Sequence, residues 1–272
     1  MQEAIAKLPT VSSAAGTPLE VHLLTGRNFA YQSAFCLYTL ARHCPCPIAV
    51  NLYDDGTLHS ESIDSLQRIF PDLVLHAHQT LVERRNEFLP REQFPVLCER
   101  WENYPHIRKI IDVHLARVGP RLVLDSDLLF WREPRFLLDW ARSSGPPLHA
   151  IDAQENYGYP RGLMEELTGA PIGDRVNVGV CAIRSEQIDW EFLEYASRRM
   201  TELHGTNYYL EQALFAMLVA REGPAAIAPA TDYITMPSSR EIAHPTAAMH
   251  HYVDLSRIAY HRQAWRLALQ ST

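Results

Sequence analysis

Asp125-Ser126-Asp127 follows the apolar run Leu122-Val123-Leu124 without a break. Two carboxylates therefore leave a buried strand where the chain turns, a costly place for unpaired charge. A cation relieves that cost. Hard divalent ions such as Mn²⁺ or Mg²⁺ take carboxylate oxygens and fill their shells with substrate phosphate, so a D-x-D pair plus a diphosphate makes a sensible site. A turn in which Asp merely caps the next segment gives the same pattern, so the pair needs company. Val176-Asn177-Val178-Gly179-Val180 sets an amide and a glycine where backbone must approach something closely, and Glu211-Gln212 interrupts an otherwise apolar helical stretch. His250-His251-Tyr252 precedes Arg257 in a segment too polar for a core. Histidine is a good third ligand for Mn²⁺, and arginine can neutralise a diphosphate leaving group.

The elements that must position these groups follow from periodicity. Residues 20–25 (EVHLLT) read as a strand, broken by Gly26-Arg27-Asn28 before residues 31–43 take up helical spacing through Ala34, Leu37, Tyr38 and Ala41. Residues 48–53 predict a second strand closed by Asp54-Asp55-Gly56, residues 60–70 a second helix stopped by Pro71, and residues 73–76 a third strand. Residues 79–105 show no readable period. A helix over 106–118 then feeds a strand over 121–124, followed by a strand over 148–152, a hydrophobic segment over 176–183, and helices near 189–203 and 208–219. Strands alternating with helices at this spacing predict an α/β fold with a mostly parallel sheet flanked by helices, whose ligands bind at the carboxyl ends of the strands. Residues 1–18 lack a period and read as a flexible lead-in; residues 19–272 read as one domain.

The order of these motifs resembles the GT-A fold glycosyltransferases of family 8, the group containing the bacterial lipooligosaccharide galactosyltransferases and glycogenin, over residues 21–257. The resemblance implies a Rossmann-like nucleotide-diphospho-sugar transferase that is metal-dependent, with UDP as the expected nucleotide and retention of anomeric configuration. Residues 25–31 (TGRNFAY) stand where that family holds the nucleoside, which makes Thr25, Asn28 and Tyr31 donor contacts. The family's arginine before the D-x-D strand falls on Arg108. Its D-x-D is Asp125-Ser126-Asp127, with Asp125 and Asp127 on the metal and Ser126 near the donor. Its sugar-orienting aspartate matches Asp152, and its F-N-A-G-V segment matches residues 176–180, placing Asn177 and Gly179 beside the sugar. Its D-Q pair resembles Glu211-Gln212, with Gln212 the expected catalytic neighbour of the anomeric carbon, although Leu210-Glu211 fits the same alignment. Its closing H-[FY]-x-G-x-x-K-P-W matches His251, Tyr252 and Arg257 in spacing, with His251 the third metal ligand. Asp254 replaces the glycine, Arg257 replaces the lysine, and the P-W is missing, with Trp265 further along.

Composition excludes other classes. A net charge of -7 argues against a generic grip on nucleic acid, and no apolar run approaches the length needed to span a bilayer. The expected setting is cytoplasmic, with peripheral membrane association open; the acceptor, whether glycan, lipid or protein, is not legible. Five scattered cysteines do not form a disulfide framework. Two alternatives stay open: a haloacid-dehalogenase-type phosphohydrolase with Asp125 as nucleophile, and a nucleotide-sugar-binding relative without catalysis.

Overall fold

A computed structural model describes residues 1–11, 16–143 and 145–270. Its first half alternates strand and helix as the periodicity requires: β1 (Leu19–Thr25), β2 (Ile48–Asp54) and β3 (Val74–His76) are separated by helices at Ala30–His43 and Ser60–Ile69. The first of these buries Ala34, Phe35, Leu37 and Leu40, the apolar positions that recur at helical spacing. Next come β4 (Pro120–Leu124), β5 (Leu128–Phe130), β6 (Leu148–Ile151) and β7 (Val176–Arg184), then β8 (Ala226–Ile227), β9 (Tyr233–Thr235) and β10 (Met249–His251).

Seven strands form the central sheet in the order β3-β2-β1-β4-β7-β6-β8, and β5-β10-β9 form a second, smaller sheet. All neighbours in the large sheet run parallel except β7, which is antiparallel to both β4 and β6. The strand order reverses direction at β1 and β4, and the crevice beyond the carboxyl ends of such a pair is where open α/β sheets take ligands. One apolar cluster, including Val21, Leu23, Leu52 and Leu124, covers one face of the sheet; a second, including Tyr53, Val123, Val178 and Leu214, covers the other.

Three expectations change. The proposed lead-in contains a helix at Gln2–Ile5, and Ile5 and Leu8 are buried because Arg68 donates to both of their carbonyls (2.7 Å each), which docks this segment on the helix after β2. Residues 12–15 lie outside the described residues. The unreadable stretch 79–105 is helical at His78–Phe88 and Pro95–Asn103, the latter burying Leu97, Cys98 and Trp101. The helix expected over 106–118 spans only Arg108–His114, preceded by a 3₁₀ turn and ended ahead of Ala116, whose φ is 54°. Among the described residues no helix is long and apolar enough to cross a membrane.

Candidate functional site

The D-S-D segment is clamped from two sides. Asp125 N donates to Gly179 O on β7 (2.8 Å), and Asp127 O accepts from Tyr252 N just past β10 (3.1 Å). Because β10 pairs antiparallel with β5, with His251 opposite Leu128, the imidazole arrives beside the carboxylates from 124 positions further along the chain (251 minus 127). Alternation along β10 sends the neighbouring His250 the other way, against Tyr252 OH and Trp131. One ligand atom from each of Asp125, Asp127 and His251 lies within 4.8 Å of the others, a spacing one cation can bridge. His251 Nε2 is 3.3 Å from Asp127 Oδ1 and 3.8 Å from Asp125 Oδ2, yet the ring is buried and neither nitrogen makes a sound hydrogen bond among the described residues. An unpartnered Nε2 facing two carboxylates fits a divalent ion better than it fits an empty core, where it would carry an unmet desolvation cost.

Gly179 explains itself here. A Cβ at that position would collide with the His251 ring, so the glycine leaves room for the imidazole rather than for a ligand alone. Gly179→Ala is expected to displace the ring and weaken Mn²⁺ binding by about 10- to 100-fold. Calorimetric titration with Mn²⁺ checks this, and unchanged affinity would dissociate the glycine from the ligand set.

Behind the D-x-D stands a buried lysine that the motif reading overlooked. Lys109 Nζ lies 2.7 Å from Asp125 Oδ1 and 3.1 Å from Glu211 Oε1. Burial works against its charge, but Asp125 and Glu211 outweigh burial and hold the ammonium well above its ordinary pKa. Burial likewise opposes ionisation of Asp125, and Lys109 with His251 overcomes it, so that carboxyl is held below the usual range. Glu211 is pushed up to about 7 by burial, with Lys109 opposing and Asp125 adding to the rise. His251 is raised against the effect of burial by Asp127 and Asp125, so a cation held there would compete with a proton for the same nitrogen.

Arg108, expected to face the donor, does not line the pocket. Its Nε donates to Trp101 O (2.9 Å), its guanidinium sits 4.0 Å over the Trp101 ring, and Nη1 bonds Asp55 O. Helical phase decides between the two neighbours: Arg108 shares a side with Asp112, whereas Lys109 shares one with the core residue Val113 and so points at β4 and β7. Every residue of this helix is buried, so the sequence carries the spacing but does not mark which side faces the sheet.

The remaining residues gather around one pocket of about 450 Å³ at the β1/β4 crevice. Thr25, Tyr31, Asp125, Ser126, Asp127 and His251 line it. So do Asp152, Asn177, Gly179, Glu211, Gln212 and Arg257. Gln212 Nε2 donates to Asp152 Oδ2 (3.1 Å), and Asn177 Oδ1 accepts from Gly179 N (2.9 Å). A register shift between His149 and Ala150 leaves residues 178–180 of β7 without partners on β6, so Val178 and Gly179 depart from the regular ladder at the pocket wall. Leu210 is buried in the core, whereas Glu211 and Gln212 both line the pocket. Asn28 is the other misplaced expectation: it is exposed and off the pocket, because the turn after Gly26 presents Phe29 and Tyr31 instead. Trp265 stacks on Phe35 in the core and takes no part. Lys109, Asp55, His106, Tyr208 and His261 also line the pocket, and spacing alone singled out none of them.

This arrangement is a Rossmann-like sheet with an acidic turn and a distant histidine at its switch point, and the fold is the GT-A fold. Among solved structures the chain is similar to mouse xyloside xylosyltransferase 1 in its apo form (TM-score 0.53, 12% identity, 85% of this chain and 97% of that one). It is likewise similar to the galactosyltransferase LgtC in complex with donor and acceptor sugar analogs (TM-score 0.55, 15% identity, 87% of each chain). The bifunctional glycosyltransferase WbbM matches over 90% of this chain but 47% of its own (TM-score 0.54, 11% identity). The fold thus resembles that of family 8 and its structural neighbours. No family model and no curated protein matches the sequence.

Proposed function

We propose that the chain is a metal-dependent glycosyltransferase that takes a nucleotide-diphosphate sugar, with UDP as the nucleotide, and passes the sugar to an acceptor with retention of configuration. The observation that carries this reading is the convergence of Asp125, Asp127 and the unpartnered His251 Nε2 on the wall of a pocket sized for a nucleotide sugar. The Mn²⁺ or Mg²⁺ that these three would hold supplies positive charge against the phosphates of the departing nucleotide diphosphate.

The chain's own groups do the rest. Lys109 keeps Asp125 ionised and fixed in direction. Arg257, on the pocket wall, adds a second positive charge for the diphosphate. Asp152 and Asn177 orient the sugar through its hydroxyls. Gln212 is already committed to Asp152 through Nε2, which leaves its carbonyl oxygen as the group to face positive charge that develops at the anomeric carbon.

Thermal denaturation tests the class. UDP with Mn²⁺ is expected to raise the melting temperature by several degrees, a shift that disappears with EDTA, because a ligand that binds only the folded state stabilises it. No shift with any nucleotide diphosphate, with or without metal, would remove the nucleotide-sugar reading. The phosphohydrolase alternative predicts cleavage of a simple phosphate ester such as p-nitrophenyl phosphate, which this reading does not.

A further inference from the structure

Cys44-Pro45-Cys46 joins the helix at Ala30–His43 to β2 and takes no part in the pocket. Its two thiols face each other. Cys44 Sγ lies 3.4 Å from Cys46 Sγ, and both residues are half-buried against the core cluster that includes Leu23 and Leu52. Exposed Pro45 separates them, and its ring fixes φ, so the pair meets across one stiff residue. Both flanks are anchored: Cys44 N donates to Leu40 O (2.9 Å) at the end of the helix, and Pro47 O accepts from Leu19 N (2.8 Å) at the start of β1. Cys36, Cys98 and Cys181 are at most 3% exposed and behave as small core hydrophobes, which leaves Cys44 and Cys46 as the thiols that a reagent can reach. The proton between them is shared unevenly. Burial pushes the Cys44 thiol up to about 12; the Cys46 backbone N–H opposes that rise and the Cys46 sulfur adds to it. Cys44 is therefore the thiol that keeps its proton and donates it, and negative charge settles on Cys46.

We propose that Cys44 and Cys46 form a redox-active dithiol, which exchanges with small disulfides of the glutathione type and closes to an internal disulfide. The Cys46 thiolate attacks one sulfur of oxidised glutathione, the S–S bond of the reagent breaks, and one glutathione leaves as its thiolate. Cys44 then gives its proton to water, attacks Cys46 Sγ in the mixed disulfide and expels the second glutathione. Two electrons pass from the pair of thiols to the reagent, both thiol protons are released, and the sulfurs close from 3.4 Å to about 2 Å. One residue separates the cysteines, so the bridge restricts the unfolded chain far less than a long-loop disulfide does, and it acts as a reversible chemical site rather than a staple.

Mass spectrometry of the whole chain after incubation with oxidised glutathione, followed by denaturation and alkylation of the remaining thiols, tests this. The wild type should lose two hydrogens without retaining glutathione, with Cys44 and Cys46 the pair protected from alkylation, and dithiothreitol should restore both. Cys44→Ser removes the resolving thiol but leaves a hydroxyl to donate to Cys46, so this variant should stop at the mixed disulfide. Cys46→Ser leaves only the thiol that holds its proton and should take up glutathione at least about tenfold more slowly, because exchange proceeds through the thiolate. A wild type in which both thiols stay alkylatable, in which each carries its own glutathione, or in which the bridge joins two chains overturns the inference. Equal uptake by the two single variants overturns it as well, since it would make them independent surface thiols.

Discussion

Asp127→Asn is expected to lower turnover of a UDP-sugar by about a thousandfold, the rate equivalent of roughly 4 kcal/mol, since it removes one of three ligands from a cation that would carry much of the charge stabilisation. The substitution leaves the fold's use of this residue untouched: what binds Tyr252 N is the Asp127 backbone carbonyl, not the carboxylate. The metal-free variant should therefore melt close to the wild-type temperature, because the carboxylate it loses repels that of Asp125 but also attracts protonated His251. Hydrolysis of the donor in the absence of acceptor, followed by UDP release across a Mn²⁺ titration, reads the effect. Wild-type turnover with an unaltered Mn²⁺ response would show that the ion, if any, sits elsewhere.

The second large effect is on stability. Lys109→Met strands Asp125 and Glu211, two carboxylates that the ammonium now touches at 2.7 and 3.1 Å. Breaking a buried ion pair on one side typically costs about 3–5 kcal/mol, which for a chain of this length lowers the melting temperature by roughly 6–20 °C. The pH dependence has a definite sign. Glu211 already titrates near 7 in the folded chain, above its ordinary 4.5, so the folded state binds the extra proton and stability falls as pH rises through that range. Without Lys109 the shift grows, and the deficit should be larger at pH 8 than at pH 6. Lys109→Met with Glu211→Gln should recover a substantial part of the loss, because the second change removes one of the stranded charges. Urea denaturation of the two single variants and the double variant closes the cycle; a deficit below about 1 kcal/mol in Lys109→Met would mean that the charges are solvated rather than buried.

Legibility differed sharply between parts of the chain. The βα units from Leu19 to His76 emerged within a residue or two, because each helix and strand there carries its own apolar period and its own stop, as at Pro71. β7 offered only a hydrophobic run: nearly every residue of it is buried, so no alternation marks its faces, and nothing local marks its antiparallel direction. The Gln2–Ile5 helix and the buried Leu8 escaped notice because what orders them is Arg68, 60 positions away, and not their own pattern. Residues 79–105 hid two helices whose exposed charges interrupt the period, and whose buried arginine and tryptophan, Arg85 and Trp101, stack on each other.

The sequence by itself determined the chemistry on offer: two carboxylates at a strand end, an amide and a glycine, a Glu-Gln pair and a late histidine, all of them found at one pocket. Tertiary structure alone decided how they meet. The small sheet carries His251 to Asp127, helical phase gives Lys109 rather than Arg108 to the site, and the turn after β1 sets Asn28 outside it. Residue type and local period are written along the chain, whereas convergence depends on pairing between distant strands and on which side of a helix faces the sheet, and those are settled only when the whole core packs.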